Sequence, residues 1–246
     1  MASGILGGAA LQRCDKRLVG LGFSPEVPEP AFQSPMSDPT AARQLMVESQ
    51  LRSRGISDPR VLDAMLLVPR HLFVPEQYQA QAYEDHPLPI GDGQTISQPY
   101  IVALMLQSLH LKPSDKVLEV GTGSGYVTAL LAELAAEIFS IERHPALAES
   151  ARELLAKLGY GNVHILTGDG ALGLPATAPF DAIMVSAAAP DLPPALIAQL
   201  RDLGRMIIPV GTGESQQLYF IRVISGQPVI TAREFVRFVP LISTGE

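Results

Sequence analysis

"VLEVGTGSGY", residues 117–126, decides the fold. A short β-rich run ends at Val120, glycines follow at positions 121, 123 and 125, and Tyr126 opens an apolar helical stretch reaching Leu134. A strand that turns through glycine into a helix leaves backbone N–H groups and the positive helix end exposed at the carboxyl edge of a parallel sheet, where ligands bind. Glycines also serve tight strand-to-helix turns that bind nothing, so the motif alone leaves both readings open. Tyr126 stands where a dinucleotide fingerprint has a third Gly or Ala. Close approach of a pyrophosphate is therefore poorly served, and a nicotinamide-dinucleotide oxidoreductase is the runner-up.

Downstream, β-rich runs alternate with helical ones: "KVLEV" then 126–134, "EIFSIE" then 145–158, "VHILT", "DAIMVSA" then 193–203, and "RMIIPV". Such alternation predicts a parallel sheet with right-handed crossovers, an α/β doubly wound fold. The helix at 145–158 carries Leu147, Ala151, Leu154 and Leu158 on one stripe, with Gly159 as terminator. "QQLYFIRVI", an "SGQP" turn and "ITAREFVRFVPLI" predict an antiparallel hairpin at the sheet edge. Its aromatics, Tyr219, Phe220, Phe235 and Phe238, are read as core.

Two more strand ends carry polar groups. Glu142 closes the second strand about 20 residues beyond the first glycine, where a carboxylate accepts from two ribose hydroxyls. Asp169, in "LTGDG", follows the third strand and is placed to face an adenine amine, although a turn aspartate is its ordinary role. Three ligands on successive strand ends predict a nucleoside pocket. A phosphate-free adenosine cofactor with a cationic sulfonium suits an acidic rim of Glu119 and Glu142, which points to S-adenosylmethionine.

Upstream, Asp38-Pro39 and Asp58-Pro59 each supply a cap and a first-turn proline, predicting helices to about Arg54, ended by Gly55, and to Pro69. "GDGQTISQPY", residues 91–100, then leads as a glycine loop into a helix over 101–109. Ser97 is read two ways, as the cap of that helix or as a ligand for substrate. Residues 1–37, with "SPEVPEPAFQSPMSDP", predict a disordered extension ahead of a single domain at 38–246: helices and loop at 38–110, cofactor core at 111–210, edge strands at 211–246.

Composition bounds the partners. The formal charge is -7, from 18 basic and 25 acidic residues, which argues against nucleic acid, and no apolar run approaches a membrane span. One cysteine, Cys14, fits a reducing compartment, and the cytoplasm is expected. His71, His86, His110, His144 and His164 share no ligand spacing, so no metal site is expected. His86 and Pro87 are assigned to loop packing, with a place at the border of a substrate cleft as the alternative.

The ordered set "GDGQTISQP", "VLEVGTGSGY", "SIERHP", "LTGDG", "FDAIMVSAAAP" and "IPVG" resembles the protein-L-isoaspartate O-methyltransferases over residues 40–242. The resemblance implies a Rossmann-like methyltransferase that esterifies the free α-carboxylate of L-isoaspartyl residues in damaged proteins, which then close to a succinimide. It places the active-site serine on Ser97 and cofactor contacts on Gln94, Thr95, Ile96, Glu119, Gly121, Thr122, Gly123, Gly125, Glu142, Arg143, Asp169 and Gly170. It further implies isoaspartyl proteins and peptides as partners, few side-chain determinants beside the damaged residue, and a monomer. Residues 185–190, "VSAAAP", leave room beside the methyl or serve close packing. The segment before residue 38 and the short tail after "VPLI" depart from the family pattern, and the tail is expected to bear on substrate closure more than on the methyl-donor site. A methyltransferase for another acceptor and a noncatalytic adenosyl-binding module remain the alternatives.

Overall fold

A computed structural model describes residues 38–243 of the chain; the extension at 1–37 lies outside the described residues. The described residues fall within one compact unit, Met36–Glu246. Asp38 caps α1 (Pro39–Leu45) by accepting from Thr40 N at 2.9 Å, and Asp58 caps α2 (Pro59–Leu67) by accepting from Arg60 N. After α1 the chain stays helical through a π turn at Met46–Leu51 and a 3-10 turn at Arg52–Arg54, until Gly55 takes φ of 90°. That is the predicted stop, with a widened middle that brings Met46, Val47 and Leu51 all into the core.

The segment read as a loop before Ser97 is instead a hairpin of β1 (Leu88–Gly91) and β2 (Gln94–Ile96), turned through Asp92 and Gly93 at positive φ. Helix α3 (Pro99–Leu109) begins two residues earlier than expected, with Pro99 in its opening turn.

The strands β3 (Lys116–Val120), β4 (Glu137–Glu142), β5 (Val163–Thr167), β6 (Phe180–Val185), β7 (Leu200–Val210), β8 (Gln216–Ile224) and β9 (Gln227–Val236) form one sheet in the order β5-β4-β3-β6-β7-β8-β9. Pairing is parallel from β5 through β7 and antiparallel at β7–β8 and β8–β9. The chain reverses direction in the sheet beside β3, a topological switch point where a ligand crevice opens beyond the strand ends. Helices α4 (Tyr126–Leu134) and α5 (Pro145–Lys157) follow β3 and β4. Both sheet faces are covered, so the alternate residues Val117 and Leu118, or Ile207 and Ile208, are buried in different clusters.

Three expectations are corrected. The helix read over 193–203 is only α6 (Pro194–Ile197), because residues from Leu200 pair with β6 through a register shift near Phe180. In α5 the buried stripe is Leu147, Ala148, Ala151 and Leu155, with Leu154 and Leu158 only partly buried. Phe235 is 75% exposed rather than core. Among the described residues no helix is long and apolar enough to cross a membrane.

Candidate active site

The first crossover builds the cradle. Gly121, Gly123 and Gly125 adopt φ of 94°, 53° and 87°, a region that side chains with a Cβ rarely enter. Gly121 N extends the sheet by donating to Ile141 O, and Gly125 N donates back to Thr122 O. Gly125 itself faces α5, where an added Cβ would lie 3.2 Å from Ala151 and Leu155. It serves packing and does not line the cavity, contrary to its expected cofactor contact.

Glu142 holds the second strand end. It is 5% exposed, and its two carboxylate oxygens accept from Gly123 N at 2.8 Å and from His144 N at 2.9 Å. One carboxylate thus fixes the glycine loop and its own loop together, with further lone pairs directed along the cavity wall that it lines.

Glu119 is not part of an acidic rim. It is fully buried beneath the cradle, with Oε2 accepting from Thr128 Oγ1 at 2.5 Å and from Ser140 Oγ at 2.6 Å, and Thr122 Oγ1 continues this chain to Ser140. Burial pushes its carboxyl up to about 8, against the lowering effect of the two hydroxyls and with a smaller push from Glu142. At neutral pH it is chiefly a neutral support for the loop. Asp169 Oδ1 accepts from Ala171 N and Oδ2 from Ser243 Oγ, both at 2.9 Å, and it is the neighbouring Gly170 that lines the cavity. A Cβ at Gly170 would stand 2.4 Å from Val120 Cγ1, so this wall admits only glycine without a shift.

Gln94, Thr95, Ile96 and Ser97 close the cavity from the hairpin side, and Thr122 and Arg143 complete the predicted residues found on its wall. Ser97 is not the helix cap. The N-cap of α3 is Gln98, without a side-chain cap bond, and the hydroxyl of Ser97 has no hydrogen-bond partner among the described residues. What holds this segment is Asp85: Gln98 Nε2 donates to its backbone O at 3.0 Å and to its Oδ2 at 2.7 Å, while the Arg54 guanidinium pairs with the same carboxylate and lies 3.4 Å over the Tyr100 ring.

The sequence reading missed that clamp, because residues 54, 85 and 98 are linked by no local pattern. It also missed residues 239–242, which line the cavity as a strap. Ala188 N donates to Val239 O and Leu241 N to Ala188 O, so the strap is tied to the "VSAAAP" segment. The tail therefore walls the cavity at the glycine turn, and Val239 also borders the space beside it. Beyond it lies a second, solvent-open groove, and four residues, Thr95, Ser97, Ser186 and Val239, belong to the walls of both.

The model of the protein-L-isoaspartate(D-aspartate) O-methyltransferase family matches residues 41–246. A protein-L-isoaspartate O-methyltransferase of Koribacter versatilis is 57% identical over 200 residues, covering 81% of this chain and 90% of that one. One from Methylorubrum extorquens is 53% identical over 215 residues, covering 87% and 93%. Among solved structures, one described as a protein-L-isoaspartate O-methyltransferase of Plasmodium falciparum in complex with S-adenosyl-L-homocysteine is 29% identical, with a TM-score of 0.71 over 82% of this chain and 97% of that one. The dinucleotide runner-up gives way to these relatives, and the chain belongs to the protein-L-isoaspartate(D-aspartate) O-methyltransferase family.

Proposed function

We propose that Ser97 is the catalytic residue of an S-adenosylmethionine-dependent methyl transfer to the free α-carboxylate of L-isoaspartyl residues in damaged proteins and peptides. The observation that carries this role is its position in the wall shared by the cradle and the open groove, with a hydroxyl that no bond among the described residues claims. The cradle fits the cofactor: main-chain turns at positive φ admit close approach, Glu142 offers acceptors suited to ribose hydroxyls, and Gly170, packed on Val120, gives the wall a backbone surface suited to an adenine edge. Gln94, Thr95, Ile96, Gly121, Thr122, Gly123 and Arg143 surround it, while Glu119, Gly125 and Asp169 act from behind the wall.

The cofactor supplies a sulfonium methyl that is already activated. The acceptor, an α-carboxyl with an ordinary pKa of about 3.5, is already an anion at neutral pH. Proton abstraction is unnecessary, so alignment is the chain's task. Ser97 donates to one carboxylate oxygen and holds the other toward the cradle, and the start of α3 adds positive potential. The Gln98–Asp85–Arg54 clamp keeps that hydroxyl in place. Positioning of this kind supplies about 7 to 11 kcal/mol of a barrier.

A labelled-methyl assay on an isoaspartyl peptide and its aspartyl twin tests the reading. Incorporation into the first alone is expected; cofactor binding with turnover of neither would make the protein a noncatalytic adenosyl-binding module.

A further inference from the structure

The open groove, about 720 Å³ in volume, runs from Ser97 to the last residues of β9. Its wall there is unusual. Phe235 is 75% exposed at the end of an edge strand, and Arg237 two residues later is exposed with no ion pair among the described residues. Residues two apart on an extended chain share a face, and the intervening Val236 is buried on the other. One face of this segment thus presents an apolar ring followed by a free guanidinium, beside the shared wall that holds Ser97. Glu214, on the β7–β8 connection, is the only carboxylate in the lining among the described residues.

We infer that Phe235 and Arg237 form a subsite that reads substrate residues beside the isoaspartate, favouring an apolar residue and an acidic one on the same side of the extended segment. This rests on the acceptor groove being the one entered at Ser97. It runs against the expectation of few side-chain determinants, because an unburied phenyl ring and an unpaired cation at the mouth discriminate whatever backbone contacts also form. The contribution is that of exposed charges, modest and sensitive to salt.

Isoaspartyl hexapeptides carrying Glu or Lys at each flanking position in turn provide the test, read as the ratio of kcat/KM within each pair so that a general loss of rate cancels. At low ionic strength at least one position favours Glu by about fivefold, the size expected of exposed pairs. Arg237→Glu inverts the ratio at that position, 0.5 M salt brings it toward one, and Phe235→Ala weakens the preference for Phe over Ser at an adjacent position. Ratios near one throughout, a preference for Lys, or a Glu preference that survives Arg237→Glu overturns the inference while methylation itself continues. Absence of methylation on every isoaspartyl peptide instead removes the reading of the site, and the subsite falls with it.

Discussion

The cradle and the groove meet at Ser97 but are made of different material. Around the glycine turn the wall is main chain: Gly123 N and His144 N sit on Glu142, and the strand ladder runs on through Gly121 N. Along the groove the wall is side chain, with Phe235, Arg237 and Glu214 exposed on an edge strand and a loop. A backbone wall is set by the sheet and changes only when the fold strains. A side-chain wall changes with single substitutions and leaves the fold alone. Substitutions in the first region should therefore appear as lost cofactor affinity or stability, and in the second as altered selectivity.

The sharpest way to break that contrast is Glu142→Ala. It removes the acceptor for two backbone N–H groups, each worth about 1.5 to 3 kcal/mol when the partner is charged, so cofactor Kd measured by calorimetry should rise by roughly 10²-fold or more. An unchanged Kd would mean that the glycine loop holds its shape unaided. Ser97→Ala, on the boundary, should lower kcat by about 10²-fold through misalignment, while stability to urea stays within about 0.5 kcal/mol because no structural bond is lost. A large loss of stability with normal turnover would return Ser97 to a structural role.

Gly170→Ala sharpens the comparison from the packing side. Its Cβ meets Val120 at 2.4 Å, and overpacking of this kind costs about 1 to 3 kcal/mol, readable in the midpoint of denaturant unfolding together with weaker cofactor binding. The most gradual effect, spread over several pH units, concerns Glu119. Glu119 keeps its proton in the folded protein up to about 8, whereas in the unfolded chain it loses it near 4.5. Between those values the native state binds more protons, so stability falls as pH rises, by at most about 1.4 kcal/mol per unit. Glu119→Gln should flatten the slope between pH 5 and 8 in urea titrations, and an unaltered slope would assign it to other groups.

How much of this was legible in the sequence depended on whether a signal was local. "KVLEV", "EIFSIE" and "VHILT" coincide with β3, β4 and β5, since short runs bounded by turns have little else to become. The glycine turn and Glu142 followed from strand-end geometry. Residues 193–203 failed because their helix-compatible pattern was overruled by pairing of Leu200 onward with β6, a contact that local propensity does not contain. The same holds for the bonds that Asp169 accepts from Ala171 and Ser243, and for the clamp on Gln98. Glu119 was placed at the correct strand but on the wrong side of the wall. Phe235 looked like core because aromatic alternation marks a sheet face without saying whether anything covers it.

The strap at 239–242 has a practical consequence for anyone handling the protein. Ser243 is fastened to Asp169, and Leu241 is laced to Ala188. A fusion introduced on the carboxyl side of Ser243 would start beside that fastening and next to the cavity wall. Purification and imaging handles are therefore better placed away from the strap, and a fusion beside it doubles as a gauge of how firmly the strap is held.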